Sequence, residues 1–395
     1  MNLRDEIETP LRAWQAYETG RGSVAVIDFD CAPTTTPTEP ADSRPAVYQR
    51  LTDLRARTTE AGADRLTARL TADLAYLGAQ PGRRRGAADA VLAFERARTP
   101  SFAGMTSQRG TRRTWIITGA SAGFGRAIAE CAVGRGDNVV LAVRRPGSVA
   151  DLADAHRDQV LVAEFDVRDT GRAGDVVRAA VDRFGRVDVL VNNAGRGVVG
   201  AAEEVGEQEL RASLELHLLG PAALVRAVLP YFREQGSGTI VQMSSQGGRI
   251  SFPGVGAYSA GKFALEGWSE ALAGEVAPFG VRVMIVEPSR FRTSFNAPDV
   301  LGVADASTAY TGLLRAVRND MASADGIQEG DPVRAAEIIV DLVAGDEVPL
   351  RLPLGREAVE RIGRSYRQNL EELERWAPTA RAADFPGAAA SARPI

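Results

Sequence analysis

The chain has 395 residues, of which 45% are hydrophobic and 25% charged, and its formal net charge is −4. These values are ordinary for a globular protein and exclude a strongly basic nucleic-acid binder, while the length predicts two domains or one large domain with additions. The two cysteines, Cys31 and Cys131, exclude a disulfide framework, and the absence of a signal pattern or a bilayer-length apolar run predicts a cytoplasmic protein without membrane or metal partners.

Residues 1–104 differ from the rest of the chain and carry no recognisable catalytic pattern. Leucines between Leu51 and Leu77 recur near helical spacing, so the extension is predicted to be mainly helical, with a poorly ordered stretch over residues 80–110. Two interpretations stay open: an appended module, or sequence upstream of the true start at Met105. The predicted domains are therefore 1–104, of unknown role, and 105–395.

From Thr114 onward, short apolar segments alternate with helical ones. This alternation predicts an α/β fold with a doubly wound parallel sheet of Rossmann type, covered on both faces, with ligands at the carboxyl ends of the strands. The predicted strands are Trp115–Ile117, Val139–Val143, Val160–Val162, Val189–Val191, Ile240–Val241 and Val283–Val286. The predicted helices are Gly125–Val133, Ala173–Phe184, Glu207–Phe232, Gly256–Val276 and Asp331–Val343.

A glycine-rich segment follows the first predicted strand directly. Glycines that lack a Cβ allow a tight turn and a close approach of the backbone to a pyrophosphate, which the next helix then meets with its amide groups. A glycine-rich turn without a ligand is the alternative, but the position between a strand and a helix favours dinucleotide binding. The residues of this predicted cofactor turn are Gly119, Ser121, Gly123, Phe124 and Gly125.

The second predicted strand ends at Val143 and is followed by Arg144 and Arg145, with no acid at the strand end. An acid at this place would hold the adenosine ribose hydroxyls, whereas a basic residue suits a 2′-phosphate. Arg144 lies 19 residues after Gly125, close to the expected spacing. The pattern favours NADP over NAD, and the alternative is that both arginines are ordinary surface residues.

The chain contains a single lysine, Lys262, four residues after Tyr258; the other 46 of its 47 Lys and Arg residues are arginines. A compact ammonium can enter a narrow polar site beside a phenol, which a planar guanidinium fits poorly. Residues four apart on a helix project from the same face. The exception therefore predicts a specific role for Lys262 next to Tyr258.

These motifs, in this order, resemble the short-chain dehydrogenase/reductase family in its form with one Rossmann-type domain, over about Thr114 to Leu354. The resemblance implies a homodimer or homotetramer, a small-molecule substrate and no nucleic acid partner. It also implies that Ser245, Tyr258 and Lys262 are the catalytic residues. By the same resemblance, the cofactor is contacted by Asp166 and Val167 at adenine, by Asn193, Ala194 and Gly195 along the cleft, by Pro288 and Thr293 at the nicotinamide carboxamide, and by Tyr258 and Lys262 at the nicotinamide end.

The chemistry of the three catalytic residues agrees with this assignment. A free tyrosine has a pKa of about 10, and the Lys262 ammonium together with the oxidised cofactor is expected to favour the phenolate. Tyr258 is then the acid or base at the substrate oxygen while hydride moves to or from the nicotinamide. The hydroxyl of Ser245 is expected to stabilise the same oxygen.

The sequence departs from the family pattern at His217, where an asparagine that holds a proton-relay water is usual. A histidine can hold a water or shuttle a proton itself, and it is included among the candidate catalytic residues. The alternative is that His217 fills space with a satisfied hydrogen bond. A second departure is Ser289 after Pro288, where glycine is usual.

The stretch from Thr293 to Gln328 is predicted to be a loop-rich substrate lid with an apolar lining, and residues 369–386 to close the pocket or form an oligomer edge. Together the observations predict an NADP-dependent carbonyl reductase or alcohol dehydrogenase. A regulator that binds cofactor without turnover is one alternative, and the intact Ser245, Tyr258 and Lys262 argue against it. A sugar epimerase or dehydratase is another, and the glycine spacing argues against that. The apolar lining is predicted from Phe291, Phe295, Leu301, Val303 and Tyr310, with Phe252, Val255 and His217 nearby.

Overall fold

The structure is a computed structural model that describes residues 112–297, 300–305, 307–385 and 387–388. The predicted N-terminal extension, residues 1–104, lies outside the described residues, and so does the predicted domain start at Met105. The described part carries all of the motifs that the sequence analysis selected.

A seven-stranded sheet forms the centre of this part, with strand order β3-β2-β1-β4-β6-β7-β9 and every neighbouring pair parallel. This is the predicted doubly wound arrangement, and all six predicted strands are present. The short β5 and β8 form a separate parallel pair. The strands are β1 (Thr114–Thr118), β2 (Asn138–Val143), β3 (Val160–Glu164), β4 (Val189–Asn192), β5 (Val198–Val199), β6 (Gly238–Met243), β7 (Val281–Pro288), β8 (Gly302–Val303) and β9 (Arg351–Leu354).

In the described part, the helices include all those predicted from Thr114 onward and three that were not predicted, Ala150–Ala155, Thr311–Ser323 and Arg356–Arg381. The helix Thr311–Ser323 lies inside the stretch predicted to be loop-rich, Thr293–Gln328, so that prediction was wrong over these residues. The helices are α1 (Gly123–Gly134), α2 (Ala150–Ala155), α3 (Ala173–Phe184), α4 (Glu207–Leu214), α5 (Gly220–Gln235), α6 (Gly256–Val276), α7 (Thr311–Ser323), α8 (Pro332–Ala344) and α9 (Arg356–Arg381); one π-helical turn, Glu215–Leu219, joins α4 to α5.

The core lies in two layers, one on each face of the sheet. Consecutive strand residues point to opposite faces, so Ile117 of β1 packs with Ile128 and Ile339 on one side. Ile116 packs with Leu224 and Phe232 on the other. Burying each such side chain stabilises the fold by roughly 1.5–3 kcal/mol. Because both faces are covered, the strands are apolar throughout, which is why they could be predicted.

One helical run, Glu207–Gln235, reaches the length and hydropathy of a bilayer span, with a mean hydropathy of 1.4, although the sequence analysis found no such segment. Half of that window, 50%, is buried inside the protein. Leu224, Val228 and Phe232 of this run pack against the sheet. Its apolar character is therefore that of a helix which covers a parallel sheet.

The strand order reverses between β1 and β4, because β1 connects outward to β2 and β3 while β4 connects to β6 and β7. Parallel strands end at the same edge of the sheet, and ligands of such folds bind at that edge where the order reverses. The glycine turn follows β1, Asn193 follows β4, and Ser245 follows β6 by two residues. The topology thus gathers these motifs in one place.

Candidate active site

The turn between β1 and α1 depends on two glycines in left-handed backbone conformations, Gly119 at φ 63° and Gly123 at φ 56°. Residues with a Cβ rarely adopt such values. A Cβ on Gly119 would lie 2.9 Å from the Cα of Ala194, and one on Gly123 would lie 3.1 Å from the Cβ of Thr293. The turn is therefore held between the segments that follow β4 and β7.

Asn193 fixes this turn rather than only lining it. Its side-chain amide donates to the carbonyl oxygens of Thr118, at 2.9 Å, and of Gly119, at 3.2 Å. The hydroxyl of Thr118 accepts from the backbone amides of Asn193 and Ala194, at 2.9 and 3.0 Å. A Cβ on Gly125 would lie 2.4 Å from Asn193 Nδ2, so Gly125 serves this packing and does not line the cleft.

The turn fits the diphosphate of a dinucleotide. Ala122 precedes α1, and no side chain caps that end of the helix; its first turn also lacks acidic residues. The first amide groups of a helix have no partners within the helix and carry a partial positive charge, which attracts an anion. The close approach that Gly119 and Gly123 permit allows a phosphate to reach these groups.

Arg144 and Arg145 lie at the end of β2, both exposed, and both line the same cleft as the glycine turn. Asp166 lies opposite, after β3, where its carboxylate is bonded to Arg168 at 2.6 Å. Arg168 lowers the pKa of Asp166 most strongly, and Arg144 contributes to the same shift. Two arginines thus line the cleft at the end of β2, while the Asp166 carboxylate already has Arg168 as its partner.

Ser245, Tyr258 and Lys262 meet at the other end of the cleft. Tyr258 and Lys262 are one turn apart on α6, and the Lys262 Nζ lies 5.8 Å from the centroid of the Tyr258 ring. The same Nζ donates to the carbonyl oxygen of Met243, the last residue of β6, at 2.6 Å. Ser245 is hydrogen-bonded to the Tyr258 phenol and accepts from the Gly247 amide at 2.9 Å.

Burial governs the protonation of this group. Desolvation raises the pKa of Tyr258 to about 12, and the hydrogen bond from Ser245 offsets only part of that rise. Desolvation also lowers the pKa of Lys262 to about 8, against the opposing attraction of Glu266. Burial therefore opposes the phenolate that Lys262 and the oxidised cofactor together are expected to favour.

His217 stands behind Tyr258, on the π-helical turn. It is 1% exposed, and neither imidazole nitrogen has a hydrogen-bond partner within the part of the chain that the structure describes. Burial lowers the pKa of His217 well below its usual range, and the charges of Lys262 and Arg196 act in the same direction. The imidazole is therefore neutral, and the described residues do not supply the hydrogen bond expected for a space-filling His217.

Small residues bring His217 close to its neighbours. A Cβ on Gly261 of α6 would lie 3.0 Å from the His217 Cβ, and one on Gly195 would lie 3.7 Å from the His217 Cε1. The π-turn shifts the register between α4 and α5, which is a common feature of functional sites. His217 itself does not line the cleft; it supports the wall that carries Tyr258.

The remaining predicted site residues line one cleft of about 590 Å³. Pro288 ends β7, and Thr293 lies above Gly123 and accepts from the amide of Phe295 at 3.4 Å. The Phe124 and Phe291 rings are 4.9 Å apart between these two segments. The cleft is lined by the predicted residues Gly119, Ser121, Gly123, Phe124, Arg144, Asp166, Val167, Asn193, Ala194, Gly195, Ser245, Tyr258, Lys262, Pro288 and Thr293.

The predicted apolar lid is only partly in place. Phe295 reaches Tyr258, with ring centroids 5.6 Å apart, and Phe252 and Val255 line the cleft as expected. Tyr310 instead lines a second, apolar cavity of about 420 Å³, which shares Phe252 with the first. Val303 is 58% exposed and lines neither.

Sequence reasoning missed a buried acid pair beneath the site. Glu266, one turn after Lys262, and Glu287, next to Pro288, are 4% and 1% exposed. Arg351 Nε lies 3.1 Å from Glu266 and 3.6 Å from Glu287, and Arg249 Nη1 lies 3.6 and 3.8 Å from the same two carboxylates. Burial, and then the charge of Glu266, raises the pKa of Glu287 to about 7. No local motif could have revealed a pair 21 positions apart.

Comparison with known proteins gives consistent matches. The family model described as short chain dehydrogenase matches residues 113–301. The chain is 36% identical over 265 residues to oxidoreductase BOA17 of Botryotinia fuckeliana, which covers 67% of this chain and 96% of the relative. A short-chain dehydrogenase structure from Streptomyces avermitilis is 46% identical with a TM-score of 0.66, over 69% of this chain and 100% of that chain. A short chain dehydrogenase/reductase from Burkholderia phymatum in complex with NAD is 25% identical with a TM-score of 0.57, over 66% of this chain and 94% of that chain.

Proposed function

This chain belongs to the short-chain dehydrogenase family and is an NAD(P)-dependent oxidoreductase, and we propose that it reduces an apolar carbonyl compound to a secondary alcohol with NADPH. One observation supports this proposal above the others. Ser245, Tyr258 and Lys262 line the same cleft as the glycine turn, so a substrate oxygen at Tyr258 and a dinucleotide on the turn would share one cavity.

The proposed chemistry uses Tyr258 as the proton donor. When bound, the cofactor supplies the hydride that reaches the carbonyl carbon. The Tyr258 hydroxyl gives its proton to the carbonyl oxygen, and the Ser245 hydroxyl holds that oxygen by a second hydrogen bond. A pKa of about 12 keeps the phenol protonated at neutral pH, as a proton donor requires.

Lys262 acts on the proton donor and not on the substrate. Its Nζ is fixed by the Met243 carbonyl, and its position beside the phenol stabilises the negative charge that develops when the proton leaves. His217 lies behind the same ring and offers two unpartnered nitrogens through which a water could resupply the proton.

The preference for NADP rests on Arg144. A 2′-phosphate carries two negative charges that a planar guanidinium can bind with two parallel hydrogen bonds. The carboxylate of Asp166, which is expected at adenine, is already paired with Arg168 at 2.6 Å, so its charge is offset without Arg144. Arg145 adds a second positive charge at the same rim of the cleft.

The substrate is proposed to be apolar beyond its carbonyl group. Phe295 packs against Tyr258, and Phe252 and Val255 form the adjoining wall. The second cavity, which shares Phe252 with the first, is lined mainly by small apolar residues and by Leu210, Leu313 and Leu314. Burying an alkyl chain there would contribute about 0.8 kcal/mol for each methylene group.

A substrate panel with the full chain tests the proposal. Ketones of increasing alkyl length are offered with NADPH, and oxidation is followed by absorbance; turnover is expected to rise with chain length. Tyr258→Phe should lower kcat by roughly 10²–10⁴-fold, the usual contribution of a positioned proton donor. Phe263→Tyr, on the exposed outer face of the same helix, is the matched control and should leave kcat unchanged.

The opposite result has a specific meaning. Binding of NADPH without oxidation by any carbonyl compound, together with no effect of Tyr258→Phe, would favour a regulator that reads the cofactor state. Normal turnover by Tyr258→Phe would show that another group donates the proton.

A further inference from the structure

The C-terminal helix α9 leaves the domain in its second half. Ala358 and Ile362 in the first two turns are buried, and Arg361 lines the substrate cleft. Residues 367–381 are exposed without exception apart from the half-buried Ala377. The helix has 26 residues and is about 39 Å long at 1.5 Å per residue. About half of it therefore extends past the surface of the described domain.

An apolar stripe begins near the start of α9 and continues through its exposed half. The stripe contains Val359, Tyr366, Leu370, Leu373 and Trp376, and each of these side chains is 43–66% exposed. They follow one another at intervals of seven, four, three and three residues, which places them on one face of the helix. An isolated helical segment of this length is marginal in water, because most helical stability comes from packing of its apolar face. The stripe is therefore an interaction surface.

Four charged residues along one edge of the stripe indicate what packs there. Glu360, Arg367, Glu374 and Arg381 recur every seven residues with alternating sign. All four are exposed, and none forms an ion pair with any residue that the structure describes. In the same helix, by contrast, Arg361 is paired with Glu357. The four charges are thus free to meet a partner.

We propose that α9 pairs antiparallel with α9 of a second copy of this chain, about a two-fold axis near Leu370. In an antiparallel pair the same edge of each helix meets its counterpart in reverse order. Arg367 then faces Glu374 of the partner subunit, and Glu360 faces Arg381 of the partner subunit. In a parallel pair opposite edges of the two helices face each other, so these four residues would not meet one another and their charges would stay unpaired across the seam.

Pairing of α9 has a consequence for the substrate cleft. The guanidinium of Arg361 lies 5.5 Å from the ring centroid of Phe252, and Arg249 lies 5.0 Å from that of Tyr366. Both arginines belong to the cleft wall or to the acid pair beneath it. The helix that would carry the dimer contact is therefore the helix that closes one side of the cleft.

Charge reversal in the full chain tests this arrangement by sedimentation velocity. The unaltered chain is expected to be a dimer, and Arg367→Glu or Glu374→Arg alone should each weaken dimerisation by about tenfold, because each change creates two repulsive pairs across the axis. The double variant R367E/E374R restores opposite charges and should recover the affinity. Arg364→Glu, on the opposite face of the helix, is the matched control and should have no effect.

A second measurement does not depend on the strength of the ion pairs. Leu370→Cys places a thiol at the proposed axis, and copper phenanthroline should link two chains through this residue, whereas Gln368→Cys on the far face should stay unlinked. A monomeric unaltered chain would overturn the proposal. A dimer that is insensitive to both single reversals and is not linked through position 370 would overturn it as well.

Discussion

The imidazole of His217 stands edge-on to the phenol of Tyr258, with ring centroids 5.3 Å apart and ring planes at 89°. This contact joins the residue that departs from the family pattern to the proposed proton donor. Because the pKa of His217 is lowered by burial, the ring meets Tyr258 as a neutral group at neutral pH. Neither of its two nitrogens has a hydrogen-bond partner among the described residues.

Replacement of His217 separates a proton-relay role from packing. His217→Leu should lower kcat by about tenfold or more with little change in KM, because the relay acts on a proton and not on substrate binding. The same variant should be at least as stable as the parent chain, since it removes two buried polar atoms that lack partners. His217→Asn should keep kcat within a few-fold. A kcat that is unchanged in His217→Leu would assign the residue to packing alone.

Substitution of the single lysine, Lys262, tests whether the site requires only a positive charge or specifically a compact ammonium group. Lys262→Arg keeps the positive charge but should lower kcat/KM by roughly 100-fold or more, because a guanidinium does not fit the 2.6 Å contact with the Met243 carbonyl. Lys262→Met should cost at least as much. Thermal unfolding of both variants checks that the fold persists, and near-normal turnover of Lys262→Arg would contradict the special role.

Arg144 is expected to set the cofactor preference. Arg144→Asp removes a charge-assisted contact worth about 1.5–3 kcal/mol, so NADPH should bind roughly 10- to 100-fold more weakly. Binding of NADH should change little. Fluorescence titration of the nicotinamide with both cofactors measures the ratio, and Arg112→Asp, an exposed arginine outside the cleft, is the control. An unchanged ratio would refute the assignment.

The acid pair makes stability depend on pH in a definite direction. The folded pKa of Glu287 is raised from its usual 4.5 to about 7, so its stabilising contribution is complete below about pH 4.5 and is lost as pH rises through about 7. Glu287→Gln removes this loss. The Tm of the variant relative to the parent chain should therefore rise between pH 5 and pH 8. Glu270→Gln, at an exposed carboxylate bonded to Arg351, should show no such rise.

A flat Tm difference across that range would mean that Glu287 is already ionised at pH 5. The two arginines that serve the pair, Arg249 and Arg351, would then outweigh the burial of the carboxylate. The measurement thus distinguishes the effect of burial on the pKa of Glu287 from the effect of the two arginine charges.

The sheet and most of the cleft could be predicted because their signals are local. Strands buried on both faces are apolar throughout. The turn after β1 could be predicted because glycine is the residue type that readily adopts left-handed backbone conformations. β9 escaped prediction because it is an edge strand with Arg351 and Pro353 among its four residues, and it pairs only with β7. A strand of this kind has no continuous apolar run to detect.

What could not be predicted depends on contacts between distant segments. α7 lies among turn-forming residues, and its apolar residue Leu314 packs against the loop that carries Gly254. A Cβ on Gly254 would lie 3.1 Å from the Leu314 side chain. The protonation of Tyr258 likewise depended on burial, which opposes the charge of Lys262 that the sequence displays. Spacing along the chain reveals neither quantity.

Because Lys262 is the only lysine and is buried, reagents that modify lysine amines can react with a side chain of this protein at one position only. Every other cationic side chain in the sequence that is not histidine is a guanidinium, so the surface offers acylating reagents no lysine amine. The one side-chain amine lies 5% exposed at the floor of the cleft, with a pKa of about 8 that leaves it partly unprotonated and nucleophilic under mild conditions. A small aldehyde or activated ester that enters the cleft would mark this position alone among the side chains, and a cleft filled by its ligands would protect it.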